Sequence, residues 1–323
     1  MLNVAYKLTL GNITCQSGKG SRLVALDVRA ALDVPVNAAR VTLDGLAELT
    51  LRPGDPVGIA LGYDKTATKV FTGSVTTLEQ GLQNVTVYAA SAFGALTASR
   101  FNLLFEKQSA GTMAGDLLGR CKVKKASVEN GEKFATFTVS DRESAWEVLA
   151  GLARRCGFDF YADIDDKAHF KKYAAGQTHS LEYGTHILDF YHGAVPAALD
   201  GVEVYGESPV GQGQGEDASA WLRKKEVKGS AGKSSGNVLR LTDPAARTQD
   251  LARTLAKNIL AAHQSTARGW MRLLGNPAIR LGDAVKVAGL PQSSQNGTYK
   301  VTGVRHRLCV RSGFITEVGW IKV

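Results

Sequence analysis

Two stretches of this 323-residue chain, roughly 230 residues apart, read alike, and no other feature restricts the fold so sharply. Leu51-Arg-Pro-Gly-Asp-Pro-Val-Gly-Ile and Ile279-Arg-Leu-Gly-Asp-Ala-Val-Lys-Val both run apolar, Arg, x, Gly, Asp, x, Val, x, Ile or Val. Downstream, Thr72-Gly73-Ser74-Val75 aligns with Thr302-Gly303-Val304-Arg305, and Val85-Thr86-Val87 with Ile315-Thr316-Glu317. A Gly-Asp corner before a Val-rich strand recurs by chance in β proteins. Three matches in order at a nearly constant offset instead indicate a duplicated element: a strand entered through a tight corner, then two strands of a meander. Gly54, Asp55, Gly282 and Asp283 are then equivalent corners of two barrels, serving either as turn formers or directly at an interface.

The rest of the patterning agrees with a mainly β chain carrying an α+β insertion, with two antiparallel β-barrels. Leu23–Arg29, Ala39–Leu43, Pro56–Leu61, Lys69–Val75 and Asn84–Ala89 are short, β-branched and bounded by turn residues. Residues 1–100 are therefore expected to form the first barrel. The texture changes over 101–175. Ser109–Cys121 predicts a short helix, and Ser140–Cys156 a clearer one, with Ser140 and Glu143 in capping-box spacing and Gly157 at the stop. Trp146, Leu149 and Ala153 mark its apolar face, with Trp146 as the expected anchor of this domain's core. Phe158–Ile164 and Ala168–Lys172 flank an acidic turn, completing a compact inserted α+β domain. Residues 176–323 are assigned to the second barrel, with a long Gly/Ser/Gln-rich loop over 206–236 and a helix over 243–262 entered at Asp243-Pro244.

Composition removes several classes of function. Net charge is +9, of which +6 lies in residues 176–323; that suits an acidic partner, but aromatics do not interleave with the basic residues and no DNA-binding spacing accompanies them. No specific nucleic acid is expected as a partner. Cys15, Cys121, Cys156 and Cys309 are scattered, without a CxxC pair, so neither a zinc cluster nor a disulfide framework follows. No apolar run approaches the roughly 20 residues of a membrane span, and the first residues lack the pattern of a signal peptide. Stable membrane insertion is not expected; the chain reads as made in the cytoplasm.

Each stretch that resembles a catalytic or metal-binding signature lacks a part of it. Gly232-Lys233-Ser234 resembles a phosphate loop, but Val227 occupies the position of its first glycine. His169, His179, His186 and His192 fall close together without ligand spacing. Cys156 closes a helix rather than opening one, which is the wrong place for an activated thiolate. Asp163, Asp165 and Asp166 lack the glycine and distal glutamate of a calcium loop. The expectation is a non-enzymatic chain with no cofactor, no metal and no catalytic residue.

Asp141-Arg-Glu-Ser-Ala-Trp-Glu-Val-Leu-Ala-Gly-Leu-Ala-Arg-Arg-Cys-Gly-Phe-Asp-Phe-Tyr resembles the helix-plus-strand segment of the phage late control protein D family. The run from Gly275 to Val287, followed by Gly297 to His306, resembles the closing barrel of that family, which includes contractile-tail baseplate hubs and the N-terminal part of VgrG spikes. The resemblance implies tail-tube-like barrels duplicated in one chain and a homotrimer whose six barrels adapt a hexameric inner tube to a trimeric spike. It also implies as partners a separate spike protein, the inner tube protein and other baseplate proteins, inside an assembled tail or injection particle. Arg223, Lys224 and Lys225 become the electrostatic handle of a partner-binding loop. The alternatives weighed are a tail-associated carbohydrate-binding or cell-wall-degrading protein, and a tube initiator with one barrel per chain.

Overall fold

The computed structural model describes residues 3–18, 21–45, 50–194, 196–206, 227–264 and 267–322. Strands account for 54% of the chain and helices for 16%, so the fold is mainly β. The first elements are β1 (Val4–Leu10), β2 (Ile13–Gln16), β3 (Leu23–Ala31), β4 (Ala38–Asp44), β5 (Pro56–Tyr63), β6 (Thr66–Gln80) and β7 (Asn84–Ala90). Next come α1 (Phe93–Ala98), β8 (Leu103–Ser109), α2 (Ala110–Arg120), β9 (Lys124–Val128), β10 (Lys133–Val139), α3 (Ala145–Cys156), β11 (Phe158–Ala162) and β12 (Lys167–Lys172). The chain continues through β13 (Thr178–Glu182), β14 (Ile187–Ala194), β15 (Gly201–Gly206), β16 (Val227–Gly232), β17 (Val238–Asp243) and α4 (Gln249–Ala262). It ends with β18 (Ala267–Leu274), β19 (Ala284–Ala288), β20 (Gly297–Cys309) and β21 (Gly313–Lys322).

Among the described residues thirteen strands share one hydrogen-bonded sheet in the order β14-β18-β21-β20-β3-β4-β7-β6-β5-β1-β2, with β19 also on β20 and β13 on β19. The sheet divides into two halves. The first reads β3-β4-β7-β6-β5-β1, the second β14-β18-β21-β20-β19-β13, and each position matches in role. Each half buries its own alternate residues. Leu8, Leu10, Val41, Leu43, Ile59, Leu61 and Val87 fill the first core, and Met271, Val285, Tyr299, Val301, Val318 and Trp320 the second. Alternating burial, such as that of Ala39, Val41 and Leu43 along β4, is what a sheet wrapped around a core imposes on its sequence. The halves differ at one end: β1 runs antiparallel to β5, whereas β13 runs parallel to β19.

A third core is built from α1 to α4, β8 to β12 and β15 to β17, joining Leu117, Leu149 and Phe170 to Val202, Val204 and Leu255. This corrects the assignment of everything after residue 176 to the second barrel. β14 and β18 are neighbours in the sheet, so the chain between them leaves it, and α4 packs on α3 and on β15 and β16. The approach to β16 is close. A Cβ on Gly229 would lie 2.1 Å from the Arg253 nitrogen, so only glycine fits beneath the helix.

Local signals shift in instructive ways. The capping box of α3 is Ser144 with Glu147, not Ser140 with Glu143: the Ser144 amide donates to Glu147 Oε2 at 2.7 Å and the Glu147 amide to Ser144 Oγ at 3.3 Å. Two consecutive Ser-x-x-Glu patterns compete, and the second caps the helix that buries Val148, Leu149 and Leu152. Trp146 is only partly buried at the margin of that core. Gly157 closes the helix at φ 66, the left-handed position its sequence place suits. α4 starts at Thr248, not Asp243, because β17 runs through Asp243 beside β15 and the Asp243 carboxylate is taken by Arg155 at 2.7 Å. Within 206–236, Val227–Gly232 is a strand; residues 207–226, with Arg223, Lys224 and Lys225, lie outside the described residues.

Candidate functional site: the two corners and the joint between half-sheets

At the first corner Gly54 holds φ 96, the Arg52 amide donates to Asp55 Oδ2 at 2.8 Å, and the Asp55 amide returns to the Arg52 carbonyl at 3.1 Å. The Val75 amide then donates to the Asp55 carbonyl at 2.8 Å. At the second corner Gly282 holds φ 83 and the Arg280 amide donates to Asp283 Oδ2 at 3.0 Å. There the Asp283 amide reaches the Arg280 carbonyl at 3.3 Å, and the Val301 amide donates to the Asp283 carbonyl at 2.9 Å. The two corners use the same bonds. Glycine supplies the positive φ, and the aspartate closes the turn on its own backbone before the strand begins.

These bonds also fix the register between halves: Val75 matches Val301. Thr76 and Thr302, the next residues, are each bulged out of the ladder to the neighbouring strand. A second pair of bulges falls at Val24 in β3 and Leu188 in β14. Bulges are specific local features, and their recurrence at matching positions marks a duplicated framework. The alignment of Thr72 with Thr302 is therefore four residues out, and Val85 matches Thr316 rather than Ile315. Repeated Thr, Gly and Val made the false register look as good as the true one.

The corners differ in their surroundings. Asp55 is half-exposed, whereas Asp283 is buried and also receives His179 Nε2 at 2.9 Å and the Gln177 amide at 3.0 Å. β13 carries His179 and is preceded directly by Gln177, and the Tyr161 hydroxyl stands close over Gly282. A cleft of about 280 Å³ opens beside this corner, lined by Phe71, Asp163, His169, Arg280 and His306 among others. His169 is engaged by Asp163 at 3.0 Å and stacks on Tyr161. Among the described residues no three His, Cys, Asp or Glu side chains gather as a metal site.

The halves meet where β3 pairs antiparallel with β20, from Ala31 opposite Gly303 to Ala25 opposite Cys309. Arg305 clamps the joint. Its Nε lies 3.0 Å from Asp27 Oδ1 on β3, and its Nη1 lies 3.4 Å from Glu317 Oε2 on β21. Partial burial pushes the Asp27 carboxyl up, but hydrogen bonds from Arg305 and Arg29 outweigh it and hold the group at about 2. On the other face Val28, Val304 and His306 are buried. Sequence reading missed the joint, since its partners are some 280 residues apart and neither strand carries a motif. The one available signal was Asp27 and Arg29 among the apolar residues of β3.

The family model described as Alg8 N-terminal domain matches residues 37–309. None of the curated proteins matches the sequence. Among solved structures, the chain is similar to the 43 kDa tail protein of prophage MuSo2 from Shewanella oneidensis, with TM-score 0.71 and 11% identity over 99% of this chain and 98% of that one. A tail protein from Neisseria meningitidis MC58 gives TM-score 0.73 and 13% identity, covering 99% and 97%. The E. coli c3393 protein, described as a component of the type VI secretion system, gives 0.60 and 12%, covering 98% and 77%. At these identities the likeness is one of fold.

Proposed function

We propose that this chain, which belongs to the Alg8 N-terminal domain family, is a non-enzymatic structural hub of a contractile tail or injection machine. In this reading it forms a homotrimer that adapts a hexameric inner tube to a trimeric spike. The finer resemblance to the late control protein D family belongs with this proposal. The observation that carries it is the duplication: two half-sheets with one strand order, matched bulges and matched Gly-Asp corners, already joined edge to edge within a single chain. Three such chains supply six quasi-equivalent units while keeping threefold differences elsewhere, which is what a sixfold-to-threefold adaptor needs. Tail proteins share the fold over nearly the whole chain, and a type VI secretion component shares it too. The partners proposed are further copies of the chain, a spike, the tube protein and other baseplate proteins. Among the described residues no helix is long and apolar enough to cross a membrane.

The test is the particle itself. Light scattering of the purified full chain should give three times its 34.4 kDa mass, and electron microscopy should show threefold rings with a sixfold-looking inner wall. A hexamer with one equivalent unit per chain, or a chain that never leaves the monomer, overturns the reading.

A further inference from the structure

Beyond the joint inside the chain, two matching edges have no strand partner among the described residues. Along β20, one edge pairs with β21; the other pairs with β19 in its first part and with β3 from Gly303 onward. Its counterpart β6 pairs with β7 on one edge and with β5 only through Thr66–Ser74 on the other. The outer edge of Thr77–Gln80, where a β3-like strand would sit, has no strand partner among the described residues. Likewise β14, the counterpart of β3, has β18 as its one strand partner among the described residues, apart from an isolated bridge of Ile187 with Tyr183. Tyr191 is 57% exposed on it, and its outer edge is open among the described residues. Open edges of this kind are templates for further pairing.

We propose that β14 of one copy pairs antiparallel with the Thr77–Gln80 segment of β6 in the next copy, repeating between chains the β3–β20 joint within the chain. This deepens the ring reading and rests on it. Transferring the internal register places Leu78 opposite Ala194, Glu79 opposite Gly193 and Gln80 opposite His192. The charges fit this register. Gly193 lies beside Arg268 on β18. Arg268 is exposed, and among the described residues its guanidinium has no carboxylate partner. Glu79 is exposed, and its described partner is the Tyr88 hydroxyl at 3.0 Å rather than a cation. Two strand spacings, about 10 Å, separate the backbones of Glu79 and Arg268 across the side-chain-free Gly193, a gap the two long side chains span. The internal joint is clamped by Arg305 on the β20 side; the proposed seam carries the acid on the corresponding side and the base opposite it. Head-to-tail pairing of two different edges is a heterologous contact, the kind that closes a ring.

The test combines charge reversal with cross-linking on the full chain. Glu79→Lys and Arg268→Glu should each weaken association by roughly tenfold, and the double swap should restore it. With the four native cysteines replaced by alanine, Gln80→Cys with His192→Cys should oxidise to covalent dimers and trimers, chains carrying only one of the two introduced cysteines serving as controls. Glu79→Cys with His192→Cys puts the thiols on opposite faces and should not cross-link. A trimer showing neither the in-register cross-link nor charge-swap rescue overturns this seam while leaving the ring reading intact. A chain that stays monomeric at every concentration overturns both.

Discussion

Acid should loosen the joint between the half-sheets through His306. This side chain is 4% exposed on β20, with Nδ1 3.0 Å from the Thr316 hydroxyl, and burial drives its pKa from 6.5 down to about 4. The unfolded chain therefore takes up a proton as pH falls through 6.5, while the folded chain refuses it until about 4. Stability contributed by keeping this imidazole neutral is fully present above pH 6.5 and drains away between 6.5 and 4. A gap of that width, at about 1.4 kcal/mol per unit, amounts to about 3 kcal/mol. The measurement is urea unfolding of the full chain and of His306→Gln at pH steps from 7.5 to 4, followed by tryptophan fluorescence, since Trp320 lies on β21, the strand that carries Thr316. Subtracting the variant removes the contributions common to both proteins, including the other histidines. The expected outcome is a wild-type curve falling about 3 kcal/mol further than that of the variant across this window. Parallel curves would refute the reasoning, because they would mean that the ring reaches water or a proton acceptor in the fold.

Three further perturbations follow from the geometry. Gly229→Ala should destabilise the inserted core by several kcal/mol in chemical unfolding, because its Cβ would overlap the backbone of α4 at 2.1 Å. Gly54→Ala should cost about 1 kcal/mol for the positive φ alone, since no described residue stands within 4 Å of its Cβ; Gly282→Ala should cost more, because Tyr161 Oη lies 2.6 Å from its Cβ. Thermal unfolding of the two variants side by side reads the difference, and equal losses would contradict the described packing. Arg305→Met should strip Asp27 of its main partner and cost about 1–3 kcal/mol. It should also reduce the stability that Asp27 otherwise loses as pH falls from about 4 to about 2, Arg29 keeping the remainder, measurable as a flatter acid limb.

Strand-by-strand structure was legible where alternation was clean. β4 and β5 stand within a residue or two of their expected bounds because period-2 burial and turn residues bracket them. β1, β2 and β13 escaped notice. β1 is only seven residues long, and its alternation Ala5-Tyr6-Lys7-Leu8-Thr9-Leu10 is interrupted by the consecutive buried pair at its start. β13 is five residues whose inward positions are His179 and Leu181, and a buried histidine does not announce a strand. Its importance comes from Asp283, a partner 104 residues later. The discontinuous inserted domain was unreadable for the same reason: nothing local says that Val202 and Leu255 belong with Leu149. Of the candidate residues, the two Gly-Asp pairs drew attention because their geometry is local. The edges left open at β6 and β14 are visible only once pairing is known.

The departures from equivalence between the halves carry as much meaning as the likeness. Both corners are built by the same backbone bonds, yet Asp55 faces partly outward while Asp283 is enclosed by His179, Gln177 and the neighbourhood of Tyr161. The cause is a single change of direction: β1 returns antiparallel to β5 through a hairpin-rich N-terminal segment, whereas β13 arrives from the inserted domain and must run parallel to β19. Insertion of the α+β layer thus covers one corner of the pair and leaves the other open. Across the shared sheet, where β3 meets β20, the halves still follow one register. In the proposed ring, the continuous sheet is therefore the part able to present six similar units to the tube. The corners, one open and one covered per chain, and the inserted layers repeat only three times. A partner with sixfold symmetry would engage the sheet, and a partner with threefold symmetry would find its footing at the corners.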